Sequence, residues 1–182
     1  MEDYARILDY LPQGHPERSR FAREPMAFAL GDTEFKLFEL IPKPNAALTA
    51  GDRVYIGKEV PLRDRIDHVK RRVAFEELTN AAQNELAFAV AQIVKDQEDK
   101  FIRFYNEAQA ITTRFHMLEL LPGLGKKAMW AVVEERKKGP FKDFADLAQR
   151  VPILHHPDKL LIKRIEMEVS DSTQKYHIFA AR

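Results

Sequence analysis

The stretch LLPGLGKKAMWAVVEERKKGPF, Leu120 to Phe141, decides how the chain is read. A Pro-Gly-Leu-Gly link can end one helix and begin the next within a few residues, because glycine tolerates backbone conformations that a side chain obstructs. Gly123 and Gly125 are predicted to take those places. A helix reaching back to about Thr113 then ends at Pro122, and a second starts after Gly125 and stops at Gly139-Pro140. Arg136, Lys137 and Lys138 fall in its last turn, where cations complement the helix dipole. The first amides of that second helix lack intrahelical partners and face outward where an anion is favoured. The turn Pro122-Gly123-Leu124-Gly125, flanked by Lys126 and Lys127, therefore reads either as a phosphate clamp or as a packing turn with no ligand.

Downstream, Asp143 is placed to cap a short helix, FADLAQR, which Pro152 terminates. Pro157 suits the first turn of another, DKLLIKRIEME, and the tail QKYHIFAA reads as a final strand. Upstream, thirty residues from Ala81 to Ala110 contain neither Gly nor Pro. Thr79 or Asn80 can cap a helix there, with Leu78, Ala82, Leu86, Val90 and Ile93 as its apolar stripe. Phe101, Tyr105 and Ala108 continue the stripe after the charged run Lys95 to Lys100, where a kink or a turn between two helices is expected.

The first 74 residues carry the period of strands instead. PMAFAL puts Met26, Phe28 and Leu30 on one face, Gly31-Asp32 offers a turn, and EFKLFELI returns as the partner. Further strands are predicted at YARILDYL, RVYIG and IDHVKRRV. Five short strands with prolines only between them or at their ends close most economically into a small barrel that leaves few free edges. The expected fold is α+β: a small OB-like β-barrel over 1–74, a helical linker over 75–111, and a helix-hairpin-helix domain with a tail over 112–182.

Composition narrows the function. The 182 residues include no cysteine, which removes disulfides, thiolate nucleophiles and cysteine-ligated metals. No apolar run is long enough to span a membrane, and the acidic opening MEDYARILDYL is unlike a secretory signal, so a cytoplasmic protein is expected. The net charge of +1 hides an asymmetry. Residues 1–74 hold 13 Lys+Arg against 12 Asp+Glu, residues 75–112 hold 3 against 7, and residues 113–182 hold 13 against 9. Within 53–72 alone stand seven bases and three acids. Two basic zones around an acidic middle suit a polyanionic partner. In the first zone, His68, Lys70 and Arg72 share one face if 66–73 is a strand, with Arg53, Lys58, Arg63 and Arg65 in adjoining strand or loop. Tyr55 or Phe38 could stack a base there or belong to the core, and Trp130 reads as a packing residue.

The run LLPGLGKKAMWAVVEERKKGPFKDFADLAQRV resembles the helix-hairpin-helix repeat of DNA repair and uptake proteins, in which L-P-G-h-G opens the hairpin. Ala128 takes the place of its packed alanine, and Arg136 with Gly139-Pro140-Phe141 matches its R-x-x-G-P-F ending. Such families usually carry a second glycine pair after RV; this chain reads PILHHPDKLLIKRI, so a second hairpin is expected to pack rather than clamp. The whole order of barrel, helical strut and hairpin tail resembles an archaeal family known as domain-of-unknown-function 655. That resemblance implies nucleic-acid binding. The family's genes tend to neighbour those for ribosomal proteins and an rRNA adenine dimethyltransferase, which implies RNA or ribosome-linked work.

Catalytic patterns are missing. There is no Walker-type loop or G-x-S-x-G elbow, Glu134 and Glu135 point in different directions on their helix, and His116 with His155-His156 makes a poor metal set. The sequence therefore predicts a non-enzymatic nucleic-acid-binding protein without cofactor or metal, favouring RNA over DNA, with ribosome-associated components as possible partners and no membrane. The alternative is a protein-interaction module in which the hairpin is only structural.

Overall fold

Alternation of apolar residues produces five strands: β1 (Tyr4–Leu11), β2 (Met26–Gly31), β3 (Leu37–Pro42), β4 (Arg53–Tyr55) and β5 (Ile66–Arg72). They form one antiparallel sheet in the order β4-β1-β2-β3-β5. This is a computed structural model, and it describes residues 1–182. β2 is buried along its whole length. Ala27 and Ala29 line the concave interior with Ala5, Ile7, Phe38, Leu40, Val54 and Ile66. Met26, Phe28 and Leu30 point to the opposite face and are buried there too. Small residues inside and large ones outside let the sheet curl tightly.

The curl does not close into a continuous ladder, in contrast to the barrel the strand count suggests: β4 and β5 are its two edges. Arg65 bridges them instead, donating to Asp52 Oδ2 and to the Arg53 carbonyl, each at 3.0 Å. One end of the gap between the edges is thereby tied by a side chain, without backbone pairing. The turn from β2 to β3 is pinned by Glu2, whose carboxylate accepts from the amides of Thr33 at 2.8 Å and Glu34 at 2.7 Å. A Cβ on Gly31 would meet Glu2 Cδ at 2.2 Å, which is why this position has no side chain.

Glu39 of β3 is 0% exposed. Arg18 grips it with two nitrogens at 2.7 Å, Arg71 Nε adds a contact at 3.0 Å, and Lys70 Nζ stands 3.6 Å away. Burial alone would push this carboxyl up; the Arg18 hydrogen bond and the charges of Arg18, Arg71 and Lys70 outweigh it and hold Glu39 below the usual carboxylate range.

The glycine-free segment forms two helices, α1 (Asn80–Asp96) and α2 (Glu98–Glu107), separated at Gln97. Thr79 Oγ1 accepts from Ala82 N at 3.1 Å as an N-cap and donates to Asp9 Oδ2 at 2.6 Å, tying the helix start to β1. The helix expected from Thr113 is not formed. Ala110–Thr112 (β6) and Phe115–His116 (β7) make a two-stranded hairpin, and only one 3-10 turn, Met117–Leu120, follows. The β-branched run Ile111-Thr112-Thr113 favours this extended form. Then come α3 (Lys126–Arg136), α4 (Phe144–Arg150), capped by Asp143 Oδ1 on Asp146 N at 2.7 Å, and α5 (Pro157–Ser170). The tail is irregular rather than a strand: Glu168, 3% exposed, accepts from the successive amides of Ile178, Phe179 and Ala180 at 2.9–3.1 Å, so a carboxylate replaces a neighbouring strand.

The chain folds as two compact units, one of residues 1–89 with 165–182 and the other of residues 90–164. In the second, Tyr105, 0% exposed, donates to the Pro157 carbonyl at 2.6 Å, and Arg136 donates to the carbonyls of Tyr105 and Ala108 at 3.0 and 2.9 Å. Leu118, Leu121, Leu124, Val132, Leu147 and Leu161 are buried there, each contributing about 1.5–3 kcal/mol relative to exposure. The turn before α3 uses its two glycines differently. Gly123 has φ +87, a left-handed conformation, whereas Gly125 is extended with φ −86 and ψ −178, open to any residue.

Two stability predictions follow from these contacts. Glu39→Gln lowers the unfolding free energy at neutral pH by about 1–3 kcal/mol; the effect is below that of breaking a wholly buried pair because Arg18 and Arg71 are partly exposed. Because the folded carboxyl titrates below its ordinary 4.5, its contribution is present above that pH and is lost as pH falls through the folded value. Urea unfolding at successive pH values should therefore show a shallower acid loss in the variant than in the parent. Gly123→Ala costs about 1–2 kcal/mol through its backbone alone, since the nearest atom to an added Cβ is Leu160 Cδ2 at 3.8 Å, while Gly125→Ala, at an extended N-cap, costs less, under about 1 kcal/mol.

Candidate nucleic-acid interface

Leu124 anchors the turn, 3% exposed, and its amide donates to the Leu121 carbonyl at 3.0 Å. Pro122 is half-buried, while Gly123 and Gly125 lie at the surface. The first bond of the α3 ladder runs from Met129 N to the Gly125 carbonyl at 2.9 Å, so the amides of Lys126, Lys127 and Ala128 precede it. An added Cβ on Gly125 would meet no atom within 4 Å, so the approach to these amides is open. That clearance, rather than backbone strain, distinguishes Gly125.

The two lysines beside the turn differ. Lys126 Nζ is held by Glu119 Oε1 at 2.9 Å and by the Arg114 carbonyl at 2.8 Å. Glu119 is kept below the usual carboxylate range by the His116 amide and by Lys126. Lys127 is exposed and makes no ion pair. At the other end of α3, Lys137 pairs with Glu134 at 2.6 Å and Lys138 with Glu135 at 2.8 Å, and Arg136 is committed to backbone carbonyls. These charges serve the fold.

On the curled sheet most of the basic face is likewise engaged. Arg53 pairs with Asp32 at 2.8 Å and lies 3.6 Å from the Tyr4 ring centroid. Arg63 donates to the carbonyls of Gly57 at 2.8 Å and Asp67 at 3.0 Å, and Arg65 forms the edge bridge. His68 Nδ1 is 2.6 Å from Asp67 Oδ2. Lys70 pairs with Glu24, and Arg72 donates to the Arg182 carbonyl at 3.1 Å. Lys58 alone of this group is exposed without a partner.

Nor do His68, Lys70 and Arg72 share one face. The β3–β5 register shifts twice, between Glu39/Leu40 and between Ile41/Pro42, and the first shift leaves Lys70 unpaired between Val69 and Arg71. Lys70 and Arg71 consequently reach the same carboxylate, while Arg72 lines a groove with Val69, Phe38 and Lys58.

The aromatic candidates change as well. Phe38 is core at 8% exposure, and Tyr55 packs edge-on against Tyr4 with centroids 5.2 Å apart. Trp130, expected to pack, is 57% exposed. Phe21, in the loop between β1 and β2, is 101% exposed, and its neighbour Arg20 is exposed without an ion pair. Sequence reasoning missed this pair, although the aromatic set among arginines in RSRFAREP was a usable signal. No group of three or more His, Cys, Asp or Glu side chains that could hold a metal ion is present, and no helix is long and apolar enough to cross a membrane.

The family model described as "protein of unknown function (DUF655)" matches residues 1–181. An uncharacterized protein of Methanocaldococcus jannaschii is 48% identical over 179 residues, covering 98% of this chain and 79% of that protein. A crystal structure of an Archaeoglobus fulgidus protein of the same family superposes with a TM-score of 0.90 at 46% identity, covering 99% of this chain and all of that one. Matched along almost its full length by family model, sequence and fold, this chain is a member of the DUF655 family.

Proposed function

We propose that the protein binds nucleic acid, RNA in preference to DNA, without catalysing a reaction on it. The observation that carries this reading is the start of α3: three amides ahead of the helical ladder, nothing within 4 Å of the Gly125 approach, and the unpaired Lys127 beside them. A phosphate oxygen can accept from such amides with the helix dipole behind them. The segment Met117–Arg136 is then a helix-hairpin-helix whose first helix is cut to one 3-10 turn, and the curled sheet is an OB-like half-barrel. Gly-free and buried at Leu154, the α4–α5 connection packs, leaving one clamp. One phosphate contact is weak, and on the sheet unit, taken by itself, Lys58 and Arg20 are exposed cations without ion pairs that could contact a polyanion. The preference for RNA rests on the family's ribosomal gene context, which also makes ribosome-associated components candidate partners.

The second reading, a protein-interaction module, draws on an open groove of about 470 Å³ lined by Ala131, Val151, Pro152 and the 43%-exposed Ile153. Salt separates the two, since phosphate contacts weaken steeply with ionic strength and an apolar interface does not.

Gly125→Asp tests the clamp. Aspartate suits the extended N-cap conformation, so α3 gains a few tenths of a kcal/mol or stays unchanged, while the added carboxylate repels phosphate. Fluorescence anisotropy with labelled RNA at low salt should show binding weakened tenfold or more, by about 1.4 kcal/mol, in a chain at least as stable as the parent. Unchanged affinity would remove the clamp from the interface. Lys127→Ala should weaken binding and reduce the slope of log affinity against log salt by roughly 0.7–0.9.

A further inference from the structure

Trp130 projects from α3 one turn beyond Lys126, 57% exposed, at the rim of a groove of about 100 Å³. The floor is Met129 and Phe115, and the facing wall is the β6–β7 turn with Thr112 and Arg114. That wall is braced: Thr112 Oγ1 accepts from Arg114 N at 3.2 Å, and Lys126 Nζ donates to the Arg114 carbonyl at 2.8 Å. The Arg114 side chain is exposed without an ion pair, as is Lys127. A flat aromatic surface thus stands beside a narrow cleft lined by the unpaired Arg114 and by the Lys126–Glu119 pair, with the unpaired Lys127 one turn earlier on α3. On the other unit, Phe21 is wholly exposed beside the unpaired Arg20, which repeats the pairing of ring and cation.

Exposed aromatic rings flanked by unneutralised cations match the two halves of a nucleotide, a π-face and a phosphate. In a duplex the base faces are already stacked on one another and offer none to a side chain; only unpaired bases can be splayed onto one. We infer that the ligand is single-stranded, or an unpaired segment of a folded RNA, with one base stacked on Trp130 in the groove beside Arg114. This inference rests on the nucleic-acid reading above and narrows it, since a phosphate clamp alone would accept a duplex equally well.

Trp130 is the only tryptophan in the chain, so its emission, excited at 295 nm to exclude tyrosine, reports this groove directly. The full chain is titrated at low salt with a mixed-sequence single-stranded RNA of twelve nucleotides and with the same strand annealed to its complement. The single strand should quench the emission and bind more tightly than the duplex. Trp130→Ala should weaken single-strand binding roughly 5- to 100-fold, the usual range for losing one stacked base, with Trp130→Phe retaining most of the affinity. Equal affinity for both probes, or single-strand binding with unquenched emission and an unaffected Trp130→Ala, overturns the inference while leaving the nucleic-acid reading intact. Binding of neither probe overturns that reading itself. An emission shift that follows protein concentration without any oligonucleotide assigns the groove to a second copy of this chain and also overturns the inference.

Discussion

The buried carboxylate of Glu39 organises the sheet unit and rations its charge. A carboxylate with no solvent exposure must be surrounded by cations or lose its ionisation, and here Arg18 comes from the β1–β2 loop while Lys70 and Arg71 come from β5. One residue thereby fixes a long loop against the sheet and locates the bulge at Lys70. The consequence reaches function: the bases that look most available in the sequence 53–72 are spent on the interior and its edges. Arg53, Arg65 and His68 find carboxylates of their own, and Arg63 and Arg72 are taken by backbone carbonyls.

Local rules made most of the architecture legible. Strict alternation located β2, short apolar runs between turn residues located β1, β3, β4 and β5, and Thr79, Asp143, Pro157 and Gly139-Pro140 marked helix ends because caps and breakers act within one turn. What was not legible depends on residues distant in sequence. Lys70 meets Glu24 across 46 positions and Arg71 meets Glu39 across 32, and nothing local to KRR announces either pairing. A bulge is similarly silent, yet one inserted residue moves every following side chain to the other face, which is how the expected row His68, Lys70, Arg72 came apart. The β6–β7 hairpin was legible in principle in its β-branched residues, and the glycine motif downstream drew the segment into a helix instead.

The glycine pair shows how one motif can conflate two causes. At Gly123 the left-handed backbone disfavours a side chain; at Gly125 the backbone is extended, and glycine serves as the N-cap of α3 with open space beyond it. Because an added Cβ there would meet nothing within 4 Å, the start of α3 is open to solvent. A wholly exposed Phe21 and a tryptophan more than half exposed forgo the burial that each could have gained, and both stand beside cations left unpaired in a chain that pairs most of the others nearby.

Affinity in such a surface comes from combination rather than from strength at one point. Each neutralised phosphate contributes little at physiological salt, and one clamp cannot hold a strand. Stacking adds a term that salt screens far less, because it arises from contact between apolar faces. On the nucleic-acid reading, the phosphate contacts still give the affinity the salt dependence that an apolar protein interface lacks, and stacking adds to it a part that salt leaves in place. On that reading, the internal pairing that lowers the free charge of this chain leaves more of the affinity to its exposed aromatic rings.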